Sequence, residues 1–188
     1  MDTTAPRAAR RFGQTALATP ANALTLARML VAIPTLLLIH DRGSSWLTIT
    51  LWFSICASDS LDGWMARRDG ATRSGAFLDP IVDKTIVLGG FLVLADIGVF
   101  PWWAFAIVAI REIGVSLYRS FAGRRGIVLP AQRLGKYKAF TQYCAVGFVL
   151  FPWTADATTF QDVVLYISVA LTIVSGLEIL RRGYTAAA

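Results

Sequence analysis

Six apolar stretches, near residues 22–40, 45–66, 76–98, 101–122, 137–155 and 161–180, follow one another with short polar connections between them. Each approaches the roughly 20 residues that an α-helix needs to cross the hydrocarbon of a bilayer. Lipid offers no partner to a backbone N–H or C=O, so stretches of this kind satisfy themselves as helices. The expected fold is an all-α integral membrane protein: six transmembrane helices with an N-terminal juxtamembrane segment. A hydrophobic fraction of 55% in 188 residues, with a mean hydropathy of +0.56, is too high for an ordinary soluble domain and agrees.

Charge orients the bundle. Six crossings return both termini to one side, and the basic residues collect there: Arg7, Arg10 and Arg11 before the first helix, Arg67, Arg68 and Arg73 in the second connection. Arg119, Arg124, Arg125, Arg133, Lys136 and Lys138 surround the fourth connection, and Arg181 and Arg182 end the last helix. The opposite side offers only Arg42, so the positive-inside rule predicts that both termini face the cytoplasm at the cell (inner) membrane. The chain divides into a basic juxtamembrane segment over 1–19, one membrane domain over 20–182 and a tail over 183–188. The N-terminus has no apolar run before Pro20 and does not read as a cleaved signal peptide.

A formal charge of +6 would suit nucleic acid, but the basic residues are spread between apolar segments rather than gathered on a soluble surface, so no nucleic-acid partner is expected. Cys56 and Cys144 lie in apolar surroundings without ligand spacing, so neither a disulfide framework nor a zinc site is indicated. His40 sits beside Asp41 at the far end of the first helix and receives no role. Trp46, Trp52, Trp102, Trp103 and Trp153 fall toward that far side, where an aromatic belt would anchor depth.

Between Asp59 and Lys84 stand four acids, Asp59, Asp62, Asp79 and Asp83, inside or at the mouth of otherwise apolar segments. An ionisable group at such depth costs roughly 2.5–3.5 kcal/mol on insertion scales, so it needs a partner and usually marks function. Helical spacing puts Asp59 and Asp62 at i, i+3 on one helix and Asp79 and Asp83 at i, i+4 on the next. Two helices joined by a short polar turn would then face four carboxylates across one crevice. Like charges so placed repel unless cations sit between them, and hard divalent ions, Mg²⁺ or Mn²⁺, choose carboxylate and water oxygens. Two ions per site are the natural filling. Intramembrane acids also line ion pathways, which makes a divalent-cation carrier or channel the rival reading. Against it, the acids occupy one helix pair near one face, and the opposite half of the membrane offers no polar path.

Basic residues near the same end complete the pattern. Asn22, Thr25 and Arg28 recur at three-residue spacing on the first helix, where Arg28 either snorkels to headgroups or points at the crevice. Arg111 and Glu112 fall about ten residues into the fourth helix, deep for any charge; they pair with each other or neighbouring helices, or Arg111 binds a substrate phosphate. Arg119, Lys136 and Lys138 would ring the cavity mouth, unless they serve only as positive-inside charge.

The run Asp59-Ser-Leu-Asp62-Gly63-Trp-Met-Ala66-Arg67, followed by Gly75-Ala-Phe-Leu-Asp79-Pro-Ile-Val-Asp83, resembles the signature of the CDP-alcohol phosphotransferases. That signature is D-x-x-D-G-x-x-A-R and then G-x-x-x-D-x-x-x-D, and all eight fixed positions match. Seven residues separate Arg67 from Gly75 where the family has about eight, which tightens the turn around Thr72. Arg111-Glu112-Ile113, Arg119, Gly135-Lys136 with Lys138 and Gln142, and Asn22, Thr25 and Arg28 are similar to the phosphatidylglycerophosphate synthase branch, so the resemblance spans roughly residues 19–145.

The resemblance implies six membrane helices, a homodimer, and a two-metal site open to the cytoplasm and to lipid. CDP-diacylglycerol would enter with its chains in the bilayer, an alcohol would attack the phosphate bearing diacylglycerol, and CMP would leave. In that scheme Asp59, Asp62 and Asp79 hold metal, and Asp83 is the general base and a further ligand. Asp62, Gly63, Ala66, Arg67, Thr72 and Gly75 bind the nucleotide. The concentration of cations points to a phosphorylated acceptor, glycerol 3-phosphate, with Arg28, Arg111, Arg119 and Lys136 as candidates for its phosphate. A cardiolipin synthase or an inositol-phosphate transferase of the same family is the alternative.

Overall fold

The computed structural model describes the backbone of residues 20–69, 75–124 and 133–187, and the side chains of 23–58, 81–123 and 134–184. Among these residues it contains six α-helices: α1 (Pro20–Arg42), α2 (Trp46–Asp69), α3 (Gly75–Asp96), α4 (Trp102–Arg124), α5 (Arg133–Leu150) and α6 (Thr158–Ala187). A single 3₁₀ turn, Pro152–Thr154, precedes α6. The number and order of helices are those of the six apolar stretches. Several helices run past the apolar residues into charged ones, because helix hydrogen bonding continues where hydropathy stops.

Three tight connections close one end of the bundle. α1 stops at Gly43, whose φ of 60° suits a residue without a Cβ, and the Gly43 N–H bonds Ile39 O at 2.8 Å. The α2 start is capped reciprocally, Ser45 N–H to Thr48 Oγ1 at 3.0 Å and Thr48 N–H to Ser45 Oγ at 3.1 Å. Past α3, Gly98 adopts φ 77° and the chain folds back so that the Val99 and Phe100 N–H groups both reach Leu94 O. Before α6, Gln161 Nε2 donates to the carbonyls of Thr154 and Ala155. His40 lies between Asp41 and Asp96 at 3.3 Å from each, tying the far ends of α1 and α3.

α3 is central, packing on α1, α4 and α5, while α6 packs on α4 and α5 and α2 on α1 and α5. Glycines set its closest approaches. A Cβ at Gly90 would fall 2.8 Å from the Trp52 ring and 3.3 Å from Val146, and one at Gly89 would fall 2.4 Å from Leu36. Trp52 is therefore a core residue and not part of an interfacial belt. It is 3% exposed and donates its indole N–H to Tyr143 O at 3.2 Å. Trp46, Trp102, Trp103 and Trp153 are exposed at the closed end, where the belt was expected.

Large apolar side chains are exposed along the helices, and polar ones are buried beside the apolar core. Leu26, Leu30, Ile33 and Leu37 of α1 and Ile110, Ile113, Leu117 and Phe121 of α4 are exposed, while Arg28, Glu112, Lys138, Gln142, Ser168, Thr172 and Ser175 are buried. Lipid tails are as apolar as leucine, so such helices gain little by hiding leucine and much by pairing polar groups inside. Among the described residues, Ala23–Arg42 and Thr158–Tyr184 are long and apolar enough to cross a membrane.

Candidate active site

The end opposite the tight connections carries the start of α1, the end of α2, the start of α3, the end of α4 and the start of α5. α2 continues unbroken through Asp59 and Asp62, and α3 through Asp79 and Asp83, so the backbone has the i, i+3 and i, i+4 registers expected from spacing. The side chains of Asp59, Asp62, Gly63, Ala66, Arg67, Gly75 and Asp79 lie outside the described residues, and Thr72 lies outside them altogether. Among the described residues no cluster of three acids, histidines or cysteines could hold a metal.

Asp83 is the acid of the quartet whose side chain is described. Arg28 Nη1 donates to Asp83 Oδ1 at 2.9 Å, linking α1 to α3. The two ends of this pair differ: the arginine side chain is fully buried, and the carboxylate is 40% exposed. Of the two expectations for Arg28, the inward one holds, since its side chain does not snorkel to the surface. Thr25, one turn earlier on α1, is also buried.

A second polar group lies between α4, α5 and α6. Arg111 Nη1 donates to Glu112 Oε1 at 3.1 Å and Nη2 donates to Ser175 Oγ at 3.0 Å. Lys138 of α5 bonds the same Glu112 oxygen. Lys138 was expected beside Lys136 at the cavity mouth, but is 5% exposed; two residues, just over half a helical turn, carry it from the rim to the inner face, where a carboxylate holds it. Arg119 and Lys136 are exposed. Deeper along the seam, Gln142 Nε2 donates to Thr172 Oγ1 at 2.9 Å. Reading the sequence missed Ser175 and the part played by α6. The available signal was the spacing of Ser168, Thr172, Ser175 and Gly176, which places small polar residues along one side of an otherwise apolar helix.

A family model described as CDP-alcohol phosphatidyltransferase matches residues 18–174, which takes in α1 to α5 and the first half of α6. The chain belongs to that family. Members of the CDP-alcohol phosphatidyltransferase family generally depend on a divalent metal. The chemistry of the donor set is compatible with one: every candidate ligand is a hard carboxylate oxygen, and Asp83 presents its carboxylate half-open.

Among relatives, the chain is similar to a protein of Mycobacterium tuberculosis named "Probable phosphatidylglycerophosphate synthase", 34% identical over 94% of this chain and 87% of the relative. It is also similar to the CDP-diacylglycerol–glycerol-3-phosphate 3-phosphatidyltransferase of Bacillus subtilis, 31% identical over 72% of each chain. The protein of that name in Haemophilus influenzae is 31% identical, over 74% of this chain and 78% of its own.

Proposed function

We propose that this protein transfers the phosphatidyl group of CDP-diacylglycerol to a hydroxyl of sn-glycerol 3-phosphate, giving phosphatidylglycerol phosphate and CMP. The relatives named for these substrates or for this product support the reading. The observation that carries it is a pair of buried polar groups among otherwise apolar helices: an acid of the family signature anchored by a buried arginine, and an arginine and a lysine sharing one glutamate.

Asp59, Asp62, Asp79 and Asp83 would hold two divalent ions, Mg²⁺ or Mn²⁺. Such ions neutralise pyrophosphate charge, polarise the attacked phosphorus and stabilise the leaving phosphate. The protein's own share is positioning and fixed charge, which dominate phosphoryl transfer. Asp83 takes the proton of the attacking hydroxyl, and Arg28 keeps its carboxylate in place from α1. Asp62, Gly63, Ala66, Arg67, Thr72 and Gly75 line the nucleotide side, where small residues admit the cytidine diphosphate close to the backbone and Arg67 donates to it. Arg111, Arg119 and Lys136 receive the acceptor's phosphate. Arg28, grouped with them by sequence, is assigned instead to Asp83, to which its Nη1 donates.

In this reading all six helices span the bilayer and the exposed leucines and isoleucines face lipid; the basic segment 1–19, set apart from the 20–182 domain by sequence, lies outside the described residues. Both termini and the site face the cytoplasm, as the charge distribution supports, and the chain works as a homodimer, as the family resemblance implies.

Purified protein supplied with CDP-diacylglycerol, a divalent metal and one acceptor at a time should release CMP with glycerol 3-phosphate. Phosphatidylglycerol, inositol phosphate and glycerol complete the panel. Turnover with one of these and none with glycerol 3-phosphate would reassign the acceptor.

A further inference from the structure

The cluster between α4, α5 and α6 is built in an unusual way for a pair that only neutralises itself. Glu112 is one anion shared by two cations, Arg111 and Lys138, so the group carries a surplus positive charge. Its side chains are nearly closed to solvent, 12% exposed for Arg111, 8% for Glu112 and 7% for Lys138. A buried surplus of this kind is unfavourable until an anion joins it. Among the described residues, the buried Arg111 Nε has no hydrogen-bond partner and two of the five guanidinium N–H donors are engaged.

The orientation of that guanidinium is set by a directional chain through α6. The Ser175 hydroxyl gives its proton to Thr172 O at 3.1 Å, so its lone pairs are left to accept from Arg111 Nη2. The Thr172 hydroxyl in turn donates to Ser168 O at 2.7 Å while receiving Gln142 Nε2. Gly176 makes room for the arginine stem, since a Cβ there would lie 3.3 Å from Arg111 Cγ. Three helices therefore grip one guanidinium: α4 through Glu112, α5 through Lys138 on the same carboxylate, and α6 through Ser175.

We propose that Glu112 and Ser175 are positioning residues that pre-orient Arg111 for the phosphate of a phosphorylated alcohol, so that α6, which carries no family motif, contributes to acceptor selection. This rests on the reaction proposed above and deepens it by assigning acceptor specificity to the α4–α5–α6 seam. A fork held in advance loses less freedom on binding than a loose one, and the gain falls on the charged acceptor alone. The lipid-linked donor, bound toward α2 and α3, is not touched by the seam.

The test uses the full chain in lipid nanodiscs, with CDP-diacylglycerol and glycerol 3-phosphate varied separately. Ser175→Ala should raise the KM for glycerol 3-phosphate about tenfold, the upper end of the cost of ordering one loosened side chain on binding. The KM for CDP-diacylglycerol and kcat should stay near wild type, while Tm falls modestly because a buried guanidinium loses a partner. Ser175→Thr, which keeps the hydroxyl, should restore the wild-type KM. Glu112→Gln should shift the same constant further. A Ser175→Ala variant with an unchanged acceptor KM, or with both KM values raised alike, overturns the proposal by showing a packing role only. Wild-type protein that uses another acceptor and not glycerol 3-phosphate refutes the reaction first. The same variants with that acceptor then decide the seam separately: a selective KM shift with a phosphorylated alcohol upholds it, and use of a neutral alcohol alone refutes it.

Discussion

Arg28→Ala removes a fully buried guanidinium from a carboxylate that must be held still if it is to take a proton. Breaking a wholly buried ion pair by deleting one partner costs about 3–5 kcal/mol. Asp83 is 40% exposed, so water takes over part of the arginine's work and that figure is too high here. A charge-assisted hydrogen bond is worth about 1.5–3 kcal/mol, and with solvent screening its lower part, about 1.5–2 kcal/mol, is the better expectation. If that stabilisation acts on the transition state, kcat should fall about 10- to 30-fold. Steady-state kinetics with each substrate varied separates the two roles open to Arg28. Action through Asp83 lowers kcat and leaves the KM for glycerol 3-phosphate in place, whereas a direct contact with the acceptor's phosphate raises that KM and spares kcat. Arg28→Lys keeps the charge but not the fork, and should recover only part of the loss. An Arg28→Ala enzyme whose kcat stays within twofold of wild type would refute the coupling of α1 to Asp83.

Two further outcomes follow from the fold and the rim. Arg119→Ala or Lys136→Ala should raise the KM for glycerol 3-phosphate more than that for CDP-diacylglycerol, because both side chains are exposed near the open end; the reverse pattern in the same assay would move them to the donor side. Gly90→Val should lower Tm in detergent, overpacking costing about 1–3 kcal/mol, since even a Cβ there falls 2.8 Å from the Trp52 ring. Trp52→Leu in the same chain should return part of the loss, and an unchanged Tm in Gly90→Val alone would contradict the close approach of α2 to α3.

The site was legible in the sequence where chemistry is local. Asp59, Asp62, Asp79 and Asp83 announce themselves because carboxylates in apolar helices are expensive, and their spacing puts each pair on one helix side before any packing is known. Arg111 and Glu112 stood out for the same reason, and their mutual pairing was one of the outcomes spacing allowed. Trp52 and Lys138 went the other way. A tryptophan six residues into a helix and a lysine two residues past another both resemble interface residues until the neighbouring helices are placed, and only α3 and α5 bury the first and α4 the second. Ser175 was missed for a different reason: a serine in an apolar helix costs little, so only its spacing with Ser168 and Thr172 flags it.

Hydropathy and charge by themselves determined six helices, their order and the end at which the acids lie, because helix hydrogen bonds close within a segment and need no partner from elsewhere. Which polar groups meet was decided only by tertiary packing. Arg28 reaches Asp83 across 55 positions of chain, and Arg111 reaches Ser175 across 64. Contacts at such separations depend on the rotation of each helix about its axis, set by how Gly89, Gly90 and Gly176 let their neighbours approach. A linear pattern carries the face of a helix but not the face it meets.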